Sequence, residues 1–159
     1  PDSELQWKKD IIFNKSKKYD NILDFIISRR DIYEQFLVSL TYHTNSIEWS
    51  TLSENETAQI LFENKNIKNK TLIEQLEAKN HQAALNFLFN YLSENKKIDE
   101  NLILKLHSIL MNWIYENAWF YRDHWVRILW SNIVTANYLK VPILMEKLWK
   151  EFEYFNWNC

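Results

Sequence analysis

Glycine is absent from the 159 residues, although average usage would supply about 11. Cysteine occurs once, as Cys159, so no disulfide can form within the chain. No apolar run reaches the length of a membrane-spanning helix, and the chain opens on an acidic stretch rather than a signal peptide. The formal net charge of −2 creates no field that would attract nucleic acid or an acidic membrane. We therefore expect a cytoplasmic protein that binds neither nucleic acid nor a membrane.

Hydrophobic residues make up 47% of the chain and charged residues 25%, which is typical of a globular domain with a core of its own. Apolar residues recur at helical spacing over about 20–48, which predicts one or two helices there with a polar side or break at 29–31. Residues 1–18 carry no such pattern and are interpreted as a segment of mixed apolar and basic residues ahead of the first predicted helix. Further helix starts are predicted from two capping boxes, an N-cap aspartate and a first-turn proline: Ser53, Thr71, Asp99 and Pro142.

Helical spacing is lost over 114–140, where two β-prone runs lie on either side of a polar break. These are 126–129 and 133–135, and they predict a short β-hairpin. The rest of the chain predicts helices, so the fold class is expected to be all-α with one small hairpin.

The stretch from 42 to 52 lies between two predicted helices. Its Thr44 and Glu48 are four residues apart, so they share one face of a helix. A carboxylate in the last turn of a helix lies against the negative end of the helix dipole and is mildly unfavourable there unless a cation pairs with it. A solvated glutamate near a helix end is the plain interpretation of these residues alone.

The pattern Thr44-x-x-x-Glu48, followed by 56–58, 76–84, 106–110, 120–123 and 126–128, resembles the Fic-domain family in order and spacing over about 42–155. The resemblance implies a Fic-like helical bundle with a β-hairpin flap, divided into an N-terminal helical region over 1–41 and a Fic-like domain over 42–159. It implies the function of a protein adenylyltransferase, which transfers AMP from ATP to a Ser, Thr or Tyr hydroxyl of a protein substrate with ATP and Mg²⁺ bound.

Within that resemblance, Glu48 corresponds to the inhibitory glutamate, which pairs with an arginine that otherwise binds the γ-phosphate of ATP. Thr44 and Ser46 support its placement. The target-docking flap corresponds to Val126, Arg127 and Ile128, whose backbone would pair with a segment of the substrate.

The family's catalytic loop, which begins His-Pro-Phe and is rich in glycine, has no counterpart here, because the sequence contains no His-Pro pair and no Gly. No catalytic residue or metal ligand is assigned, since the histidines are isolated and His81 and His107 fit interior helix positions. We expect no transferase activity from the chain as it stands. An alternative is a helical binding module that acts in trans, as an antitoxin-like inhibitor of a separate Fic enzyme. Because the family's central helices are missing, we expect self-association, a complementing chain or loose packing.

Eight tryptophans accompany the absence of glycine. Several occupy positions at which the family carries Gly: Trp49, Trp113, Trp119 and Trp130, with Trp125 less clear. Tryptophan at 49 would be strained by about 1–2 kcal/mol, because Gly and Asn are the residues that readily adopt the left-handed conformation that ends a helix. We hypothesise that Trp replaces Gly throughout, by design or by an error in the recorded sequence.

Overall fold

A computed structural model describes residues 2–18, 21–94, 96–128 and 132–155, and at 2–5 and 151–155 it describes the backbone alone. Within these ranges the chain is helical and contains no strand, so the all-α class is confirmed. The helices are α1 (Asp2–Ser16), α2 (Ile22–Ser28), α3 (Arg30–Ile47), α4 (Glu54–Glu63), α5 (Leu72–Ser93), α6 (Glu100–Leu110) and α7 (Val141–Phe155), with a short 3-10 turn at Tyr138–Lys140.

Side-chain caps set the starts of the central helices. At α4, the Ser53 hydroxyl accepts from the Glu56 amide at 3.2 Å, and the Glu56 carboxylate accepts from the Ser53 amide at 2.8 Å. Thr71 and Glu74 form the same reciprocal pair at α5, at 3.2 and 3.0 Å. Asp99 accepts from the third amide beyond it, at 2.8 Å, and starts α6. Each of these starts was predicted, because a capping box satisfies orphan amides from local sequence alone.

The N-terminal part differs from expectation in one respect. Residues 2–16 form α1, although no helical spacing predicted it. Its apolar side chains Trp7, Ile12 and Phe13 are exposed, so the described side chains of α1 bury no stripe whose period the sequence could show. The break expected near Arg29 is confirmed, since Arg29 lies between α2 and α3. The predicted boundary at residue 41 falls inside α3.

Helix α5 lies at the centre and packs against α2, α3, α4 and α6. The best-buried apolar cluster joins the connection after α3 to α4 and α5, and its members are Leu52, Ile60, Leu61 and Ala78. Two threonines, Thr41 and Thr57, are also fully buried between these helices. This five-helix centre, α2 to α6, is the scaffold that holds the end of α3.

The two terminal helices are attached differently. Within the described residues, α1 and α7 make at most marginal contact with the five-helix centre, and α7 directly follows the 3-10 turn. Its side chains Ile143, Leu144 and Leu148 are exposed. No helix in the described part of the chain is both long enough and apolar enough to cross a membrane.

The segment between α6 and the 3-10 turn is irregular. The β-hairpin expected over about 126–135 is not confirmed, because 126–128 and 132–135 form no strand, and 129–131 lie outside the described residues. The two flanks do meet, since the Thr135 hydroxyl donates to the carbonyl oxygen of Val126 at 2.6 Å and Arg122 donates to the carbonyl oxygen of Ala136. Side-chain bonds therefore join the flanks where a backbone ladder was expected.

Candidate functional site

Glu48 is the residue at which α3 ends, and its side chain is exposed. Its amide donates to the carbonyl oxygen of Asn45 at 3.0 Å, within the last turn. Thr44 lies one turn earlier and is also exposed. Ser46 does not support the Glu48 carboxylate, because its hydroxyl donates to the carbonyl oxygen of Tyr42 at 2.7 Å. The predicted inhibitory residues thus lie together at the end of one helix, although Ser46 serves the helix itself.

The connection that follows Glu48 is fixed by the scaffold. Leu52 is buried in the core, and Glu74 of α5 accepts from both the amide and the hydroxyl of Thr51 at 2.7 Å. Lys70 donates to the carbonyl oxygen of Thr51 and approaches the Glu56 carboxylate at 3.6 Å. The end of α3 is consequently held in place by bonds that come from two other elements.

Glu74 is the most strongly bonded carboxylate of this region. Besides Thr51, its second oxygen accepts from the amide and the hydroxyl of Thr71, at 3.0 and 2.8 Å. These donors, those of Thr51 first, lower the pKa of Glu74 to about 2. Every one of them stabilises the charged form, so Glu74 is a structural carboxylate rather than an acid or base available for chemistry.

Glu48 has the opposite surroundings. Among the described residues, no cation lies within ion-pair distance of its carboxylate, and the carboxylate of Glu77 lies near it. Burial raises the pKa of Glu77, and the nearby carboxylates of Glu74 and Glu48 raise it further. The carboxyl-terminal end of α3 adds the negative pole of its dipole. The site is therefore an exposed carboxylate beside a second carboxylate and the negative pole of α3, which favours a cation.

The predicted flap residues Val126, Arg127 and Ile128 are exposed in irregular backbone. Within the described residues, no hydrogen bond or ion pair joins them to Glu48. The two predicted functional regions are therefore not brought into contact by this part of the chain.

The histidines were predicted to be structural. His81 is half-buried, and its Nδ1 lies 2.9 Å from the hydroxyl of the buried Thr41, which links α5 to α3. Burial lowers the pKa of His81, which favours the neutral ring in that place. In the described residues, no group of three or more His, Cys, Asp or Glu side chains is placed to hold a metal ion.

Three side chains that join elements of the fold by hydrogen bonds were not predicted. Lys79 and Asn80, consecutive on α5, donate to the ends of α4 and α6, and neither shows in periodicity because both are polar residues inside an apolar helix. Tyr121 donates to Glu100 at 2.6 Å and ties the irregular segment to α6. Burial, together with that hydrogen bond, raises the pKa of Tyr121 to about 12. The sequence signal that could have indicated Lys79 and Asn80 is that two polar residues interrupt the apolar pattern of α5.

The ATP and Mg²⁺ that the resemblance implies do not fit the residues of this chain. No histidine precedes a proline anywhere in the sequence, so the His-Pro-Phe loop that would bind the phosphates has no counterpart here. None of the known protein-family models, curated proteins or solved structures matches this chain.

Proposed function

We propose that this chain belongs to a Fic-type protein adenylyltransferase and restrains AMP transfer through Glu48. In this proposal, the Glu48 carboxylate binds an arginine that would otherwise bind the γ-phosphate of ATP, so that ATP binds unproductively. The supporting observation is the exposed Glu48 carboxylate, which has no cation partner among the described residues and carries Glu77 as a negative neighbour.

Electrostatics give the reason why a guanidinium suits this site. A lone carboxylate at a helix carboxyl terminus, close to the carboxylate of Glu77, is unfavourable by a few tenths of a kcal/mol or more. An arginine fork relieves that repulsion and forms two charge-assisted hydrogen bonds, each about twice as strong as a neutral one. The bonds of Thr51 and the burial of Leu52 hold the backbone that follows Glu48 in place before the arginine binds.

The arginine and the phosphate loop would come from polypeptide other than these residues. They would lie either in the same natural polypeptide or in a separate Fic enzyme that this chain inhibits in trans. The exposed apolar side chains of α7 favour a covering chain in either arrangement, since such a face is stabilised by burial. The flap role of 126–128 is part of the same proposal: their exposed backbone would pair with a segment of the substrate.

AMP transfer tests the proposal. Labelling from ATP radiolabelled at the α-phosphate is measured with the complete natural polypeptide, and with this chain mixed with any Fic enzyme that co-purifies with it. Glu48→Gln keeps the shape and removes the charge, and it should raise labelling tens-fold, because a sheltered charge-assisted pair contributes about 1.5–3 kcal/mol. A rise in the first sample identifies internal inhibition, and a rise in the second identifies inhibition in trans.

Glu94→Gln is the matched control. Glu94 also ends a helix and is exposed, but it already pairs with Lys96. Its substitution should leave labelling unchanged. If Glu48→Gln and Glu94→Gln label equally, or if neither sample transfers AMP, the inhibitory role of Glu48 is refuted.

A further inference from the structure

Three residues of the described chain adopt a positive φ: Trp49 at 69°, Asn64 at 52° and Trp113 at 62°. Asparagine is one of the few residues besides glycine that tolerate this conformation. Tryptophan is not, because a left-handed backbone brings its Cβ too close to the following carbonyl oxygen.

Trp49 occupies the glycine position of a recognised helix-ending motif. Its amide donates to the carbonyl oxygen of Ser46 at 3.3 Å, and the amide of Ser50 donates to that of Asn45 at 3.0 Å. This pair of bonds defines the Schellman motif, whose left-handed residue is usually glycine. The bonds satisfy carbonyl groups that the end of α3 would otherwise leave free, so the backbone demands the positive φ whatever the side chain.

Trp113 occupies the glycine position of a different motif. The amide of Ile114 donates to the carbonyl oxygen of Met111 at 2.9 Å and closes a four-residue turn. Trp113 is the third residue of that turn, and it alone of the two central residues has a positive φ. A positive φ at the third residue of a β-turn favours Gly or Asn.

Packing offers no compensation at either position. The Trp49 and Trp113 side chains are 86% and 87% exposed. Tryptophan is highly buried on average, yet none of the six tryptophans in the described residues is buried. The indoles at 49 and 113 therefore contribute almost no apolar burial to offset the strain of the backbone.

We infer that positions 49 and 113 are glycine positions of this fold, and that the polypeptide as its own cell makes it carries glycine there. The counts agree, because the chain has eight Trp and no Gly. One codon read as tryptophan here and as glycine in the cell would produce the excess of Trp, and also the absence of Gly where the gene uses that codon throughout for glycine. The inference does not depend on the proposed function, since it uses only backbone geometry, exposure and composition.

Stability variants test the conformational part. Alanine keeps the Cβ and glycine removes it, so the difference between Trp49→Gly and Trp49→Ala isolates the backbone effect, and the same holds at 113. We expect each glycine variant to unfold about 2–4 °C above its alanine counterpart. Trp49→Asn should fall between them. Ala83→Gly, on the exposed face in the middle of α5, should instead lower the midpoint, because glycine is unfavourable inside a helix.

Peptide sequencing tests the cellular part. Peptides that span 49 and 113, taken from protein isolated from its natural source, should contain glycine at both positions. Tryptophan at both would overturn the inference. So would glycine variants that unfold at or below the temperature of the alanine variants.

Discussion

Some helix ends in this molecule receive hydrogen-bond donors from α5 and one does not. The ends of α4 and α6 are of the first kind. At the end of α4, the Lys79 ammonium donates to the carbonyl oxygen of Leu61 at 3.1 Å and to the Asn64 side chain at 2.7 Å. At the end of α6, the side-chain amide of Asn80 donates to the carbonyl oxygens of residues 110 and 112, at 3.0 and 2.7 Å. Two consecutive residues of α5 thus satisfy the ends of the helices on either side of it.

The end of α3 shows the second. It receives no donor or cation from α5 but faces Glu77, and it carries a carboxylate of its own, Glu48. Stability alone would place a Lys or Arg there, as Lys79 is placed for α4. The difference teaches that the end of α3 is not optimised for the fold, which is common where a residue is kept for binding. Four predictions test this contrast.

The largest effect on stability is expected at Asn80, whose side-chain amide is buried. Asn80→Ala removes both donors from the end of α6 in a position that is only 7% exposed. It should lower the free energy of unfolding by about 1–3 kcal/mol, because the freed carbonyl groups lose their partners without gaining full access to water. Urea denaturation measures the loss. The control Asn90→Ala, on the exposed part of α5, should stay within about 0.5 kcal/mol of the unaltered chain.

A smaller loss of stability is expected at Lys79, whose ammonium group donates to the end of α4. Lys79→Met keeps the length of the side chain and removes its charge and donors from the end of α4. We expect about 1 kcal/mol, less than at Asn80, because Lys79 is partly exposed and water can replace it. Lys68→Met, on the exposed loop, is the control. Equal stability of the two variants would mean that α4 does not need its cation, and the contrast with α3 would fail.

The third prediction concerns the stability of the fold in acid, where Glu74 becomes protonated. The pKa of Glu74 is lowered to about 2 in the folded chain, below its ordinary value of 4.5. Its bonds to Thr51 and Thr71 should therefore stabilise the fold fully above pH 4.5 and be lost as the pH falls towards 2. Denaturation at a series of pH values should show this loss. Glu74→Gln, which cannot ionise, should be less stable at pH 7 and should approach the unaltered chain in acid.

The smallest effect has the opposite sign. Glu48→Lys replaces an unfavourable charge at the end of α3 with a favourable one, so it should raise the free energy of unfolding by a few tenths of a kcal/mol. Glu94→Lys, at the end of α5, should give no gain, because it breaks the pair with Lys96. A clear destabilisation by Glu48→Lys would show that Glu48 supports the fold, and the basis of the proposed function would be lost.

The sequence predicted the helices whose starting signals are local. Ser53 with Glu56, and Thr71 with Glu74, satisfy amides three residues away, so their geometry follows from spacing. The sequence also placed Thr44 and Glu48 on one helix face; Thr44 lies in the last turns of α3, and Glu48 is the residue that caps its end. It did not predict α1, whose described side chains bury no apolar stripe, and the β-hairpin that it predicted at about 126–135 is not confirmed, since the described flanks are irregular.

Local spacing therefore determined where most helices begin and which residues each helix presents together. Only the tertiary structure decided which helix end receives a donor, because Lys79 and Glu77 belong to the same turn of α5 and only packing directs one to α4 and the other towards α3. The sign of the charge that meets a helix end depends on contacts between residues far apart in the chain. No pattern of period 3.6 contains that information.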